Sequence, residues 1–106
     1  MNRAKLQDVL DNGTIEWRKH ALERMFQRNI TRSEVKENLL LGEIIEIYED
    51  DKPFNSALFL YVNNKPLHVV ASLDETYGVV YIITAYRPDS ENFEDDFKTR
   101  RTNENE

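Results

Sequence analysis

One histidine and two arginines recur at intervals of four residues in the segment WRKHALERMFQRNI, and their types suggest chemistry. His20, Arg24 and Arg28 advance by about 40° per step on a helix, so they form one stripe beside its apolar side. An imidazole titrates near neutral pH and can move protons, whereas a guanidinium stays charged and offers paired N–H donors to phosphate oxygens. The spacing therefore predicts one wall of a groove that binds phosphate.

Two further proton-handling side chains lie in the second half of the chain. His68 belongs to the segment KPLHVVASLD, and Tyr86 ends the segment GVVYIITAY. A second imidazole and a phenol near the stripe would give a site with an acid, a base and a cation, and the phenol ring could also stack on a base. The candidate site therefore has His20, His68 and Tyr86 as catalytic residues, with Arg24 and Arg28 as phosphate-binding residues.

Each of these residues also has a purely structural interpretation, which the sequence leaves open. His20 can hydrogen-bond to a neighbouring glutamate or carbonyl, and surface arginines such as Arg24 and Arg28 commonly pair with carboxylates. His68 lies between apolar strand residues, where a hydrogen-bonded, half-buried imidazole is as reasonable as a catalytic one. Tyrosines in the position of Tyr86 more often pack against a sheet than transfer protons.

The spacing of apolar residues predicts three helices before residue 43. They cover residues 3–11, 16–28 and 32–42. In the second helix, apolar residues including Met25 and Phe26 repeat at intervals of three and four, which predicts one buried side next to the charged stripe. Thr31 and Glu34 have the spacing of a capping box, in which each side chain accepts a hydrogen bond from the other residue's backbone N–H. The capping box predicts where the third helix begins.

After Gly42 the apolar period changes from about 3.6 residues to two, which predicts strands. The predicted strands are EIIEIYED, SALFLYV, KPLHVVASLD and GVVYIITAY. Asn63-Asn64 suits a tight hairpin turn, and Asp89 after Pro88 suits another turn. Helices followed by a meander predict an α+β fold, with N-terminal helices packed on one face of a four-stranded antiparallel sheet.

The opposite face of this sheet is expected to be free and partly polar. Because successive strand residues point to opposite sides, His68 and Ser72 should lie on that face while Leu67 and Val69 face the helices. Glu46 should lie on the polar face as well, in the first strand of the meander.

Composition limits the classes of protein that the chain can represent. The 106 residues carry a net charge of −6, so any contact with nucleic acid must depend on a local basic cluster. There is no cysteine, which excludes disulfides and thiolate sites and is consistent with a cytoplasmic protein. No membrane segment, metal site or cofactor loop is expected. We expect a single domain over residues 1–93 and a polar, flexible tail over residues 94–106.

Three motifs in order carry a resemblance to a known family. They are His20, Arg24-Met25, Arg28 and Ile30 in the second helix, PLHVV at residues 66–70, and IITAYRPD at residues 82–89. Over residues 16–93 the chain resembles a domain-of-unknown-function family of small prokaryotic proteins that is similar to the RelE/ParE superfamily, including BrnT-like and MqsR-like toxins. The chain has Phe93 where that family usually has tryptophan, and so keeps an aromatic side chain there.

The resemblance implies a RelE-like fold and a toxin-like, metal-independent endoribonuclease of a toxin–antitoxin pair. It implies RNA as the substrate, including ribosome-bound mRNA, and an antitoxin partner with a zinc-binding or helix-turn-helix domain. In such a reaction the ribose 2′-OH attacks the adjacent phosphorus, which needs proton transfer and a cation. The alternative is a non-catalytic module with the same fold that binds a protein through a sheet edge or an acidic rim.

Overall fold

The computed structural model describes residues 1–102 and contains three helices and five strands. In chain order they are α1 (Arg3–Asn12), β1 (Thr14–Trp17), α2 (Lys19–Gln27), α3 (Arg32–Leu41), β2 (Glu43–Tyr48), β3 (Ser56–Asn63), β4 (Lys65–Asp74) and β5 (Val79–Tyr86). The predicted capping box at Thr31 and Glu34 is present, and Asn64 takes the positive φ of 68° that the β3–β4 turn requires.

The sheet has the strand order β1-β5-β4-β3-β2. Strands β2 to β5 form the predicted antiparallel meander, whereas β1 pairs with β5 in parallel. The fold is therefore α+β with a mixed five-stranded sheet, and the prediction of four antiparallel strands was incomplete.

The additional strand covers residues 14–17, of which residues 16 and 17 were predicted to begin the second helix. Ile15 and Trp17 are half-buried, while Thr14 and Glu16 are exposed, which is the alternation of a strand. This short strand pairs with Val79–Ile82, so that α2 begins only at Lys19. The predicted buried side of α2 is also narrower than expected, because Phe26 is 84% exposed.

The helices cover one face of the sheet and enclose the core. Among its buried side chains are Leu6, Val9, Met25, Val35 and Leu39 from the helices, and Phe59, Val69, Val80 and Ile82 from the strands. Residues 67, 69 and 71 of β4 face this core, as the alternation predicted, and His68 and Ser72 lie on the other face. His68 therefore lies on the second face of the sheet, the one that the helices do not cover.

The second face of the sheet is not free, because the C-terminal segment, residues 89–102, lies over part of it. Phe93 is 3% exposed, and its ring meets the His68 ring edge-on at a centroid distance of 4.7 Å. An isolated bridge pairs Phe93 with Arg100, which folds the segment back on itself. The last part of the predicted tail, residues 103–106, lies outside the described residues. The segment thus adds a third layer beside the candidate site.

Candidate functional site

A cavity of about 470 Å³ lies where β5 ends, between the end of α2 and the C-terminal segment. It is lined by Arg28, Tyr86, Arg87, Asp89, Asn92, Phe93 and Arg100. Two of the five predicted site residues, Arg28 and Tyr86, lie on its wall, and His68 lies directly behind Tyr86. We call this space the Tyr86 cavity.

Arg28 reaches this cavity because of the way β1 and α2 end. β1 stops at Trp17 opposite Ile82, so the rest of the outer edge of β5 has no strand beside it. Arg28 is the C-cap of α2, and its Nη1 donates a hydrogen bond of 2.9 Å to the carbonyl of Ala85 on that edge. None of the ion pairs within residues 1–102 involves Arg28. Its remaining N–H groups are therefore available to an anion.

Tyr86 and His68 form a hydrogen-bonded pair across β5 and β4. The Tyr86 hydroxyl lies 3.2 Å from Nδ1 of His68, and Nε2 lies 2.7 Å from the carbonyl oxygen of Phe97. Because a carbonyl only accepts, Nε2 must carry the ring proton. Nδ1 of the neutral ring is then an acceptor, and Tyr86 donates its hydroxyl proton to it. The lone pairs of the Tyr86 oxygen are left to accept a proton from a molecule in the cavity.

Both members of this pair are held in their neutral forms. Burial lowers the pKa of His68 below its ordinary 6.5, and the Phe97 carbonyl and the charge of Glu46 offset only part of this effect. Burial also raises the pKa of Tyr86 above 10.0. His68 is therefore an unprotonated base at neutral pH, and Tyr86 retains a proton that it can pass on.

Glu46 connects the back of the pair to the C-terminal segment. Arg100 donates to its carboxylate through Nε at 2.7 Å and Nη2 at 3.0 Å, and Tyr48 donates to the same group. Burial raises the pKa of Glu46, but the bonds from Arg100 and Tyr48 outweigh burial and hold the pKa below 4.5. Glu46 is thus ionised and would stabilise a positive charge arising on His68, whereas the guanidinium of Arg100 bound to it opposes that charge.

Arg100 also closes one side of the cavity. Its guanidinium lies 4.9 Å from the centre of the Phe93 ring while it is paired with Glu46. Arg87, another cation at the cavity, pairs with Glu34 of α3 and donates to the Pro66 carbonyl. Both of these guanidinium groups have carboxylate partners, so Arg28 is the arginine of the cavity wall that lies in no ion pair in the described part of the chain, and the carboxylate of Asp89 on the same wall offsets part of its charge.

Asp89 shapes the entrance of the cavity without acting as a base. Its carboxylate accepts hydrogen bonds from the backbone N–H of Asn92 at 2.8 Å and of Glu91 at 3.1 Å, and also from the Asn92 side chain. The bonds from Asn92 hold the pKa of Asp89 below 3.8. The predicted turn after Pro88 is therefore confirmed, and it directs the C-terminal segment back over the sheet.

His20 and Arg24 lie on α2 away from the Tyr86 cavity. The side chain of His20 is 91% exposed, and its Nδ1 lies 3.6 Å from a carboxylate oxygen of Glu23. His20 precedes Arg28 by eight residues, which corresponds to about 12 Å along a helix. Arg24 is exposed in the middle of α2. The structure therefore brings together His68, Tyr86 and Arg28, but it brings neither His20 nor Arg24 to them.

The sequence interpretation missed two of the three arginines that line the cavity, Arg87 and Arg100. Arg87 directly follows Tyr86, so its place at the end of a strand beside a candidate residue was a usable signal. Arg100 belongs to a polar stretch without apolar periodicity, and only its contact with Glu46, 54 residues away, places it at the cavity. No sequence pattern indicated that contact.

Comparison with known families decides where the chain belongs. Residues 17–87, about two thirds of the chain, match the model of a family described as Domain of unknown function (DUF4258). The chain belongs to this family. The DUF4258 region contains Arg28, His68 and Tyr86, whereas Phe93 and Arg100 follow it. The comparison with curated proteins and the comparison with solved structures returned no match.

Two further properties of the described residues bear on the site. In residues 1–102 no group of three or more histidine, aspartate or glutamate side chains is arranged to hold a metal ion. Over the same range, no helix has the length and apolarity needed to span a membrane.

Proposed function

We propose that this protein is a toxin-like, metal-independent endoribonuclease that acts at the Tyr86 cavity. The proposal includes a RelE-like fold relationship and a cognate antitoxin with a zinc-binding or helix-turn-helix domain, both of which rest on the motif resemblance. One observation supports the catalytic assignment above the others. The Tyr86 hydroxyl contacts a buried neutral imidazole on one side and a cavity containing an available guanidinium on the other.

Attack begins with transfer of a proton through Tyr86. The ribose 2′-OH gives its proton to the Tyr86 oxygen as the Tyr86 hydroxyl proton moves to Nδ1 of His68, and the 2′ oxygen bonds to phosphorus. His68 becomes an imidazolium whose Nε2–H remains bonded to Phe97 and whose charge faces ionised Glu46. Because the pKa of Tyr86 is raised, Tyr86 relays the proton and does not persist as a phenolate.

Departure of the 5′ oxygen completes the reaction. The P–O5′ bond breaks and the 5′ oxygen takes a proton from water, which leaves a 2′,3′-cyclic phosphate and a 5′-hydroxyl end. The hydroxide formed then takes a proton from the imidazolium through Tyr86, so that His68 is neutral again. Arg28 stabilises the negative charge that grows on the phosphate oxygens. Two of its N–H groups that do not bond to Ala85 can contact two of these oxygens together.

This assignment changes the roles of the predicted residues. His68 and Tyr86 keep catalytic roles and Arg28 keeps its phosphate-binding role. His20 and Arg24 have none in the proposed chemistry, because they lie outside the cavity. The substrate is RNA, including mRNA on the ribosome. Because the protein has a net charge of −6, the RNA must bind at one local cationic site.

Purified protein incubated with a single-stranded RNA tests this function. Wild-type protein should cut the RNA in the presence of EDTA, and Tyr86→Phe and Arg28→Gln should each reduce the rate under conditions in which both variants are folded. Arg24→Gln is the matched control, because it removes an exposed arginine of the same helix outside the cavity. Equal rates for all four proteins, or no cleavage by wild type, would reject the assignment.

A non-catalytic binding module is the second candidate, and the exposed edge of the sheet favours it. β2 is the last strand in the sheet, Ile47 on it is 50% exposed, and Glu49 and Asp50, which follow the strand, are exposed acidic residues. Such an edge suits a basic peptide added as a further strand. This candidate predicts no RNA cleavage and a tight protein partner whose binding is lost with Ile47→Lys.

A further inference from the structure

A second cavity, of about 270 Å³, lies on the same sheet face as Tyr86. The residues of its wall that carry the inference are Arg18, Lys52, Phe54, Ser56, Ser72 and Tyr81. Tyr81 pairs with Ser72 across β5 and β4, as Tyr86 pairs with His68, and the register shift at Ile83 between them keeps both tyrosines on one face of β5. Tyr81 and Tyr86 are five positions apart in the sequence, which corresponds to about 16 Å along a strand.

The wall of this cavity offers flat surfaces for stacking. The rings of Phe54 and Tyr81 stack on each other, at an interplanar angle of 12° and a centroid distance of 5.9 Å, so a base would extend this stack from outside and would not enter between the rings. The guanidinium of Arg18 lies 5.9 Å from the centre of the Tyr81 ring. Unstacked bases of single-stranded RNA bind to aromatic rings and to arginine planes in this manner. The volume is slightly below that of a cavity for a drug-sized ligand, which suits one planar ring system.

Polar groups deep in the cavity can read the edge of such a ring. The hydroxyls of Ser56 and Ser72 are 2.9 Å apart, and these residues are 1% and 6% exposed. Since one hydroxyl donates to the other, the pair still has one proton and several lone pairs to offer a ligand. At the rim, Arg18, Lys52 and Asp51 are all exposed, so a phosphate attached to the ligand would meet two cations and one carboxylate, a net positive charge.

Helix α2 links the two cavities. Arg18 is its N-cap and Arg28 its C-cap, so each end of one rigid element supplies a cation to one cavity. The separation of ten residues corresponds to about 15 Å of helix, which matches the spacing of Tyr81 and Tyr86 along β5. A single strand lying across this face of β5 can therefore place one phosphate at Arg28 and a base beside Tyr81.

We propose that the second cavity binds an unstacked nucleobase of the RNA strand, away from the bond that is cut. This inference rests on the proposed function, because it takes single-stranded RNA as the substrate. It assigns Tyr81 and Arg18 to stacking and the Ser56–Ser72 pair to contacts with the base edge. The site favours strands with a base at this distance from the scissile phosphate over shorter fragments.

Binding of a strand that cannot react tests the subsite separately from cleavage. A fluorescent single-stranded oligomer with 2′-O-methyl riboses has no 2′-OH to attack phosphorus, and fluorescence anisotropy gives its Kd for the full-length protein. Tyr81→Ala should raise this Kd about tenfold, as expected for the loss of one base–aromatic stack. Tyr77→Ala is the matched control, since Tyr77 is 82% exposed in the β4–β5 turn and lies outside this cavity.

A second ligand shows whether Tyr81 contacts a base or acts through the fold. Against an abasic oligomer of equal length, wild-type protein should bind more weakly and Tyr81→Ala should bind as wild type does. Ser72→Ala, which removes one hydroxyl, provides a second variant and should change the preference among the four bases. Equal Kd values for wild type and Tyr81→Ala on the base-containing oligomer would overturn the subsite, as would equal losses on both oligomers.

The two proposals fail in different ways. If wild type binds the oligomer with the expected dependence on Tyr81 but cuts no RNA, the nuclease assignment fails and the base site stands as a binding site. If wild type cuts RNA while Tyr81→Ala binds both oligomers as wild type does, the base site alone fails.

Discussion

Tyr86 and His68 are cross-strand partners, and the Tyr86 hydroxyl lies 3.2 Å from Nδ1 of His68 while Nε2 of the same ring is bonded to Phe97. This arrangement leaves one orientation of the Tyr86 proton while His68 is neutral, so the first proton transfer runs from the cavity toward the buried ring. The proposed chemistry depends on that direction, because Tyr86 carries the substrate's proton to His68, which is buried and does not contact the substrate.

Tyr86→Phe should lower the single-turnover cleavage rate by about 10²-fold or more, since it removes a proton-transfer group and keeps the ring. The variant also leaves Nδ1 of buried His68 without its donor, at a cost of about 1–3 kcal/mol in the free energy of unfolding. Rapid-quench kinetics and urea denaturation measure the two effects. A variant that unfolds like wild type and still cuts at the wild-type rate would contradict the relay.

The pKa of His68 predicts how cleavage and stability depend on pH. Because burial lowers that pKa below 6.5, the base form is populated at neutral pH, and the cleavage rate should fall in acid as His68 becomes protonated. The unfolded chain binds the proton at its ordinary pKa of 6.5, so the free energy of unfolding should fall as pH decreases from 6.5 through the folded pKa.

Urea denaturation between pH 7 and pH 5 measures this linkage. His68→Gln keeps a polar side chain but does not titrate, so its stability should decrease less over the same interval. An equal decrease in wild type and His68→Gln would mean that other groups account for the acid sensitivity.

Arg28→Gln should weaken binding of the uncleavable oligomer and make the remaining binding less sensitive to salt. Each phosphate contact of a single strand contributes about −0.7 to the slope of log K against log salt concentration, so the slope should become shallower by about that amount. Anisotropy titrations at several salt concentrations give the slopes. Arg24→Gln should leave the slope at the wild-type value, and identical slopes for the two variants would remove Arg28 from the site.

The C-terminal segment should depend on Phe93. Phe93→Ala should reduce the free energy of unfolding by about 3–5 kcal/mol, because the ring is almost fully buried against His68. Phe26→Ala is a matched control with little expected effect, since that ring is 84% exposed. Thermal unfolding of both variants tests the difference. Similar melting temperatures for the two would show that the segment contributes little to the folded state.

The sequence predicted the parts of the fold that are determined locally. Alternation in β2 to β5 and the pair Thr31–Glu34 depend on near neighbours, and these predictions were confirmed. The strand Thr14–Trp17 was missed because its pairing partner lies 65 residues away and four residues carry little periodic signal. The packing of the C-terminal segment on the second face was missed for the same reason, since the position of Phe93 depends on its contact with His68, which is distant in sequence.

The candidate site was predicted in part for related reasons. His68, Tyr86 and Arg28 meet because strand register aligns positions 68 and 86 and because α2 ends beside β5. Spacing along one helix placed His20, Arg24 and Arg28 in one stripe, but a stripe that spans nine residues is longer than the contact between α2 and the cavity. Periodicity identifies a side of a helix and does not indicate which turn of it meets a site.

The chemistry of the products tests the nuclease proposal most directly. Wild-type protein acting on an all-ribose strand should produce 2′,3′-cyclic phosphate and 5′-hydroxyl ends, identified by mass spectrometry, and a single 2′-O-methyl group at the cut site should abolish that cut. Cleavage of the 2′-O-methyl strand at the same bond, or no cleavage of the all-ribose strand, would contradict the proposed function.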